Sequence, residues 1–221
     1  TESGTPEAYT TSHLRASRAT WGDYSNSSGW IYSYGEEDWF TNSMAIARTK
    51  AGLLYTKNTG PTLSAIGFGW CYDMVETNIS GTADPVYGVR WCGESVGGPE
   101  GNLAWGLDAA DYSITGNTVC LDTYLKATQE YIDYCKSNNI STKVFFTTGT
   151  VDGGFSPVEK GYASHLKNER IRNYVKADPT RILFDYADIL CYDDDGEATT
   201  YTWEGHVFPI ITPTNLTPTS T

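Results

Sequence analysis

The sequence predicts a single α/β domain with a doubly wound, mostly parallel sheet. Apolar runs at 62–70, at 143–149 and in the first half of 181–190 are typical of buried strands. Segments with helical periodicity separate the later runs, and connections of helix length are what parallel strands require. A chain of 221 residues, 39% of them hydrophobic, can bury a substantial core, and its length favours one domain over two.

Apolar residues recur at helical spacing in segments 39–55, 121–139 and 156–178, which predicts three helices. Asp122 is suited to cap the second helix, and Pro157 is suited to the first turn of the third. The predicted apolar positions are Met44, Ala47, Ala51 and Leu54 in the first helix; Tyr124, Leu125, Tyr131, Ile132 and Cys135 in the second; and Val158, Tyr162, Leu166, Tyr174 and Val175 in the third.

The remaining segments set the expected domain boundaries. Residues 76–119 are Gly-rich and irregular, and we expect them to form a long surface insertion. The domain is expected to span 1–210, with a Thr/Pro-rich tail at 211–221.

The composition indicates an extracellular protein that contacts carbohydrate. Sixteen Tyr and seven Trp accompany abundant Gly, and the opening TESGTPEAY is polar, as expected of a processed chain. The net charge of -12 argues against a nucleic-acid partner, because phosphate binding needs clustered Lys and Arg. The sequence has no apolar run of about 18 residues, so no membrane span is predicted.

Five cysteines without a C-x-x-C pair argue against a zinc site and favour disulfides. The expected pairings are Cys71 with Cys92 and Cys120 with Cys135, since each closes a short loop near the end of a predicted element. The odd count leaves one thiol free or paired elsewhere.

Four N-x-[ST] sequons are candidate glycosylation sites: Asn26, Asn78, Asn139 and Asn215. Asn26 and Asn215 have turn-like, polar neighbours, so we expect them to be occupied ahead of Asn139, which lies at a helix end.

Ligands of open parallel sheets bind beyond the carboxyl ends of the strands. Three loops follow the predicted strands there: "GWCYDM", "TTGTVDGG" and "DYADILCYDDDG". The alternative is structural, with Asp185 and Asp188 capping turns and Trp70 only packing.

Parts of these loops and of the neighbouring elements resemble sequence blocks of a known family. "GFGWCYDM", "TTGTVDGG", "NERIRNYV" and "RILFDYADILCYDDDG" resemble an extracellular, SGNH-hydrolase-like family over roughly residues 8–210. The resemblance implies a three-layer α/β fold of flavodoxin-like topology and an esterase acting on acylated sugars or lipids. "TTSH" resembles the family's nucleophile turn, which would make Ser12 the nucleophile.

The chain departs from the family pattern at several positions. Leu14 replaces a glycine, Thr150 replaces a histidine, and the usual D-x-x-H is not present. A serine nucleophile needs a general base and a group that orients the base. His206 in "WEGHVFP" is the expected base, with Glu204 or an acid at 193–195 to orient it. His13 adjoins Ser12, and we expect His165 to face solvent from its helix.

Substrate contacts are expected from Trp70 and Trp21, which could stack on sugar, from Arg15 acting with Arg18 on a substrate carboxylate, and from Asp152 near the strand ends. No cofactor or metal is predicted. "CYDDDGE" fails the EF-hand pattern, because Cys191 takes the first position where a carboxylate is needed, and a nonstandard calcium site is the alternative.

Two hypotheses follow. In one, the protein is a secreted esterase acting on acylated carbohydrate through Ser12 and His206. In the other, the same fold has lost catalysis and serves as a glycosylated surface or filament subunit that self-associates through its terminal segments.

Overall fold

A computed structural model describes residues 38–41, 43–59, 63–70, 121–151 and 158–216. This part of the chain is a mixed α/β structure with a three-stranded parallel sheet and a separate two-stranded antiparallel hairpin. The α/β class and the parallel sheet are therefore confirmed. The insertion expected at 76–119 lies outside the described residues.

The parallel sheet contains β1 (Ala65–Gly67), β2 (Lys143–Thr147) and β3 (Leu183–Phe184), in the order β1-β2-β3. Each strand lies in an apolar run that the sequence assigned to a strand. Gly67 pairs with Phe145, and the Phe145 ring covers the position that a Cβ on Gly67 would take. A side chain at this position would displace the ring.

In the described part of the chain, four helices precede β3: α1 (Asp38–Thr41), α2 (Ser43–Thr59), α3 (Leu121–Ser137) and α4 (Val158–Lys176). Val144 and Phe146 point to one face of β2, and they pack in two clusters with residues of all four helices. The described helices before β3 therefore cover the same face of the sheet. None of the helices in these ranges is long and apolar enough to cross a membrane.

The two ends of α3 are defined by different contacts. Asp122 was expected to cap the helix, but it lies inside the first turn, where its buried Oδ1 is 3.2 Å from Arg170 Nη2. At the other end Asn139 has φ 51°, and the N–H groups of Asn139 and Ile140 donate to the carbonyls of Lys136 and Cys135. This is a Schellman motif, which satisfies carbonyls that the helix itself leaves free.

The segment after β3 holds elements that the sequence did not predict. A short helix, α5 (Tyr186–Cys191), begins directly after the strand, and a hairpin follows with β4 (Thr200–Trp203) and β5 (His206–Pro209). The hairpin turn is Glu204-Gly205, with φ values of 46° and 85°. Two residues with positive φ form the type I′ turn that matches strand twist, and Gly adopts this conformation without the strain of a side chain.

The hairpin packs against the N-terminal half of α4. Phe208 and Ile210 are buried against Tyr162, and Val158, Leu166 and Trp203 contact the same cluster. Residues 211–216, placed in the tail by the sequence, continue into a 3₁₀ turn (Pro213–Asn215), and the Thr212 N–H donates to the Leu190 carbonyl of α5 at 3.0 Å.

The structure corrects one expected disulfide. Cys135 is a free thiol buried in the cluster between α2, α3 and β2, so the bridge to Cys120 is not formed. Cys191, which belonged to neither expected pairing, is also free and buried. The other pairing, Cys71 with Cys92, lies outside the described residues.

Candidate functional site

Polar side chains meet where β2 and β3 end, and we call this group the carboxyl-edge cluster: Thr148, Asn168, Glu169, Arg172 and Asp185. Its centre is an ion pair between α4 and the residue after β3. Arg172 donates from Nε to Asp185 Oδ2 at 2.7 Å and from Nη2 to Asp185 Oδ1 at 2.8 Å. The geometry is bidentate, which fixes the orientation of both side chains. Arg172 Nη1 also donates to Glu169 Oε1 at 2.7 Å.

Asp185 also connects the turn after β2 to α5. Thr148 Oγ1 donates to Asp185 Oδ1 at 2.9 Å and accepts the Ala187 N–H at 2.9 Å. Asp185 Oδ1 accepts the Asp188 N–H at 3.2 Å, so Asp185 is the N-cap of α5. The expectation that Asp185 caps a turn is confirmed, and the cap belongs to a larger network.

Asn168 fixes the same turn from the helix side. The residue is fully buried, and its Oδ1 accepts the Gly149 N–H at 2.8 Å. Its Nδ2 and the nearby Thr150 Oγ1 are buried without a hydrogen-bond partner. Buried polar groups are nearly always bonded, so these two atoms are donors that the described part of the chain leaves unused.

The ion pair stabilises the charged forms of both Asp185 and Arg172. Burial alone would raise the pKa of Asp185, but hydrogen bonds and charge from Arg172, with the hydrogen bonds from Thr148 and the Asp188 N–H, outweigh burial and lower the pKa below its ordinary value. Burial disfavours the charged guanidinium of Arg172, yet Asp185 and Glu169 raise its pKa. Asp185 is therefore an ionised acceptor and not a proton donor at neutral pH.

The expected base, His206, lies in the hairpin, at the start of β5, and packs on the N-terminal half of α4. Its imidazole is stacked on Tyr162, with ring centroids 4.6 Å apart and an angle of 16° between the planes, and the residue is exposed. Glu204 is in the hairpin turn and is also exposed. Among the contacts of the described residues, none joins the Glu204 carboxylate to the His206 ring.

His165 does not face solvent as expected. Its ring packs beside Tyr162 and Phe208, with centroids 6.4 Å and 6.2 Å away, because the hairpin covers this side of α4. Burial lowers its pKa, the charge of Glu169 acts in the opposite direction, and Arg172 adds to the lowering. His165 therefore favours the neutral form.

Trp70, an expected sugar contact, follows β1 and packs within an aromatic group. Its ring centroid is 4.7 Å from that of Tyr124 and 5.2 Å from that of Phe68, and its Nε1 donates to the Thr147 carbonyl at 3.1 Å. The packing interpretation therefore accounts for its position. Only the exposed part of this half-buried ring is open to a sugar.

The acidic run after α5 forms a tight turn. Asp193 Oδ1 accepts the N–H groups of Asp195 and Glu197 at 3.0 Å and 2.9 Å. In the part of the chain that the structure describes, no three His, Cys, Asp or Glu side chains are grouped to hold a metal ion.

The sequence did not single out Thr148, Asn168, Glu169 and Arg172, although all four fall in blocks that carried the resemblance. The "NERIR" block contains Asn168, Glu169 and Arg172, and the spacing of three and four residues on a helix could have indicated a shared face. Beside Asn168, Lys167 is also buried, and burial lowers its pKa to about 7.

Several predicted site residues lie outside the described ranges, and their roles stay predictions. They are Ser12, Arg15, Trp21, Asp152, the sequon residues Asn26 and Asn78, and Cys71, Cys92 and Cys120. No family model, curated protein or solved structure matches this chain.

Proposed function

We propose that the protein is a secreted, SGNH-like hydrolase that removes acyl groups from carbohydrate. The observation that supports this proposal is that hydrogen bonds join the sequence blocks that resemble the SGNH-hydrolase-like family. "TTGT", "NERIR" and "LFDYADI" meet at one edge of the sheet through Asn168 with Gly149, Arg172 with Asp185, and Thr148 with Asp185. Blocks that are joined by side-chain bonds at a ligand-binding edge fit a site that must be held rigid.

The proposed fold is a three-layer, doubly wound sheet. The described helices before β3 supply one helical layer. The second layer would come from parts of the chain beyond the described residues.

In the proposed reaction, Ser12 attacks the acyl carbon of an ester and His206 takes its proton. The carbonyl oxygen becomes an oxyanion, held by N–H groups of the nucleophile turn. The sugar alcohol leaves with the proton from His206, and water then releases the acid by the reverse sequence. Glu204 or an acid at 193–195 would orient His206, while Arg15, Trp21, Trp70 and Asp152 would contact substrate.

The position of His206 supports its role as base. Tyr162, on which its ring is stacked, lies in the second turn of α4, and this helix follows the turn that leaves the carboxyl end of β2. The imidazole is exposed, so a substrate and a serine can both reach it.

The test is turnover of acetylated xylan and of p-nitrophenyl acetate. Ser12→Ala should reduce kcat/KM by about 10³-fold or more, and His206→Gln by at least about 100-fold, within the usual contribution of a general base. Ser137→Ala, at an exposed position on α3, is the matched control and should retain full activity. Equal turnover by the parent and Ser12→Ala would refute the esterase.

A second function is favoured by one observation. β3 is an outer strand of the three described strands, and it and the residue before it carry the exposed side chains Ile182 and Phe184. An apolar outer strand is suited to pairing with a neighbouring chain. In this alternative, the protein is a non-catalytic, glycosylated surface or filament subunit. Inactivity on esters, together with concentration-dependent assemblies in sedimentation velocity, would establish it over the esterase.

A further inference from the structure

The asparagines of two of the four sequons, Asn139 and Asn215, lie in the described residues, and their side chains have opposite environments. The amide of Asn215 is used in the fold, whereas that of Asn139 is not. N-linked glycans attach to the Nδ2 atom of asparagine, so the contacts of this atom decide what a glycan would disturb.

Asn215 Nδ2 binds the end of α5. It lies 3.1 Å from the carbonyl oxygens of Ile189 and Leu190 and 3.2 Å from that of Tyr192. The last carbonyls of a helix have no partner within the helix, so this amide supplies donors that α5 needs. A glycan would replace one of the two N–H hydrogens and place a sugar ring where these carbonyls lie.

Asn139 follows the end of α3 and is exposed. Its backbone N–H completes the Schellman motif, but its side-chain amide has no hydrogen bond within the described part of the chain. The residue is exposed, and so is Ser141, the hydroxyl residue of its sequon. Ile140 between them is buried and anchors the turn. A glycan here costs no native contact.

We propose that Asn139 is the glycan acceptor of the folded protein among these two sequons, and that Asn215 stays unmodified as the cap of α5. The transfer forms a bond between Nδ2 and the anomeric carbon of a polyprenyl-diphosphate-linked glycan. The bond from that carbon to the diphosphate breaks, the diphosphate leaves, and Nδ2 loses one proton. This inference rests on the extracellular part of the proposed function and not on the hydrolase activity.

Transfer to the chain before it folds leads to the same distribution. A chain modified at Asn215 keeps one amide hydrogen for three carbonyls, and the sugar blocks their approach. A chain modified at Asn139 forms all its native hydrogen bonds. A glycan at 139 therefore leaves folding unhindered, whereas one at 215 disfavours the folded state, so molecules modified at 215 are depleted among the folded, secreted protein.

The experiment uses the full chain behind a signal peptide in a eukaryotic secretory host. Folded protein from the medium is treated with peptide N-glycosidase in ¹⁸O water, and peptide masses give occupancy at each site. Ser141→Ala and Thr217→Ala each remove one sequon without changing an asparagine. We expect a glycan at Asn139 in the parent protein and none there in Ser141→Ala. The fraction of molecules with a glycan at Asn139 should be the same in Thr217→Ala as in the parent.

Two results would overturn the proposal: an occupied Asn215 in the folded, secreted protein, or an unmodified Asn139. Esterase assays of the same material with and without Ser12→Ala decide the hydrolase separately, so the two failures are distinguishable.

Discussion

The carboxylate of Asp185 holds three parts of the chain together: Arg172 of α4, Thr148 of the turn after β2, and the first turn of α5. Asp185→Ala leaves the guanidinium of Arg172, which is only 12% exposed, without its main partner. Breaking a buried ion pair costs about 3–5 kcal/mol. Because Asp185 is 26% exposed, we expect the lower end of this range, about 3 kcal/mol, in the free energy of unfolding measured with urea at pH 7.

Asp194→Ala is the control for this change. Asp194 is exposed, and substitutions at such positions alter stability by less than about 0.5 kcal/mol. Similar losses in the two variants would show that the ion pair contributes little.

The same carboxylate makes stability depend on acid pH. An unfolded aspartate has a pKa of about 3.9, and the folded-state pKa of Asp185 is lower, since its bonds to Arg172 and Thr148 outweigh burial. The stability it contributes is fully present above about pH 4 and is lost as pH falls through the folded-state pKa. Asp185→Asn removes this dependence. We expect its free energy of unfolding to fall less steeply than that of the parent between about pH 5 and pH 2; parallel curves would contradict this.

The contact partners of single residues could not be predicted from the sequence. The blocks around Asn168 and Asp185 stand out in the sequence, but their partners lie 19 and 13 residues away, at distances that only the folded chain closes. His165 was assigned to solvent from its place on a helix. That prediction was wrong because the hairpin, distant in sequence, packs on the same side of α4.

At the scale of elements, the strongly periodic segments were predictable and the short ones were not. The α3 and α4 helices lie within the segments predicted at 121–139 and 156–178, because apolar residues recur at helical spacing in both. The hairpin of β4 and β5 has only four residues per strand, and its "WEGH" was interpreted as an acid and a base. Glu204-Gly205 between alternating aromatic and polar residues is a two-residue turn signal that could have predicted it.

The hairpin offers a matched pair of neighbouring residues. Phe208 is 1% exposed in the cluster with Tyr162 and Ile210, whereas Val207 is 65% exposed on the opposite side of the strand. Truncating a buried Phe costs about 3–5 kcal/mol, so Phe208→Ala should lower the free energy of unfolding by about that amount. Val207→Ala should change it by less than about 1 kcal/mol. Urea denaturation measures both, and comparable losses would mean that the hairpin does not dock through Phe208.

The C-terminal end of α5 depends on a side chain outside the helix. Asn215→Ala removes the donors to the carbonyls of Ile189, Leu190 and Tyr192. A typical hydrogen bond contributes about 1 kcal/mol, and because Asn215 is exposed, we expect a total loss of about 1–2 kcal/mol. Asn173→Ala, exposed on α4, is the control and should not destabilise, since Ala is the better helix former. A thermal melt that places both variants at the midpoint of the parent would argue against the cap.

For the whole molecule, the sequence predicted the α/β class and the parallel sheet because strand and helix periods differ clearly. It did not define the layers. The described helices before β3 cover only the face of the sheet that carries Val144 and Phe146. The contacts that place a helix on one face of the sheet join residues distant in sequence, and such contacts leave no periodic signal.

Two buried thiols report on whether the described elements unfold together. Cys135 packs in the cluster of Val144 and Tyr131, and Cys191 packs in another with Val151 and Ala187. Burial raises the pKa of both thiols, to about 12 for Cys191, where Arg172 partly offsets the effect of burial. Thiolate is the reactive form, so alkylation of either residue requires opening of its cluster.

The carboxyl-edge cluster bonds α4 to the start of α5 and Asn215 bonds to its end, so the two thiol clusters should open in one transition. We expect brief iodoacetamide pulses at increasing urea, followed by peptide mass analysis, to label Cys135 and Cys191 with the same midpoint. Labelling of Cys191 at clearly lower urea would show that α5 opens as a separate unit. In Asp185→Ala, which cuts the bonds to α4, the Cys191 midpoint should fall further than that of Cys135, because the start of α5 is then no longer held to the sheet edge.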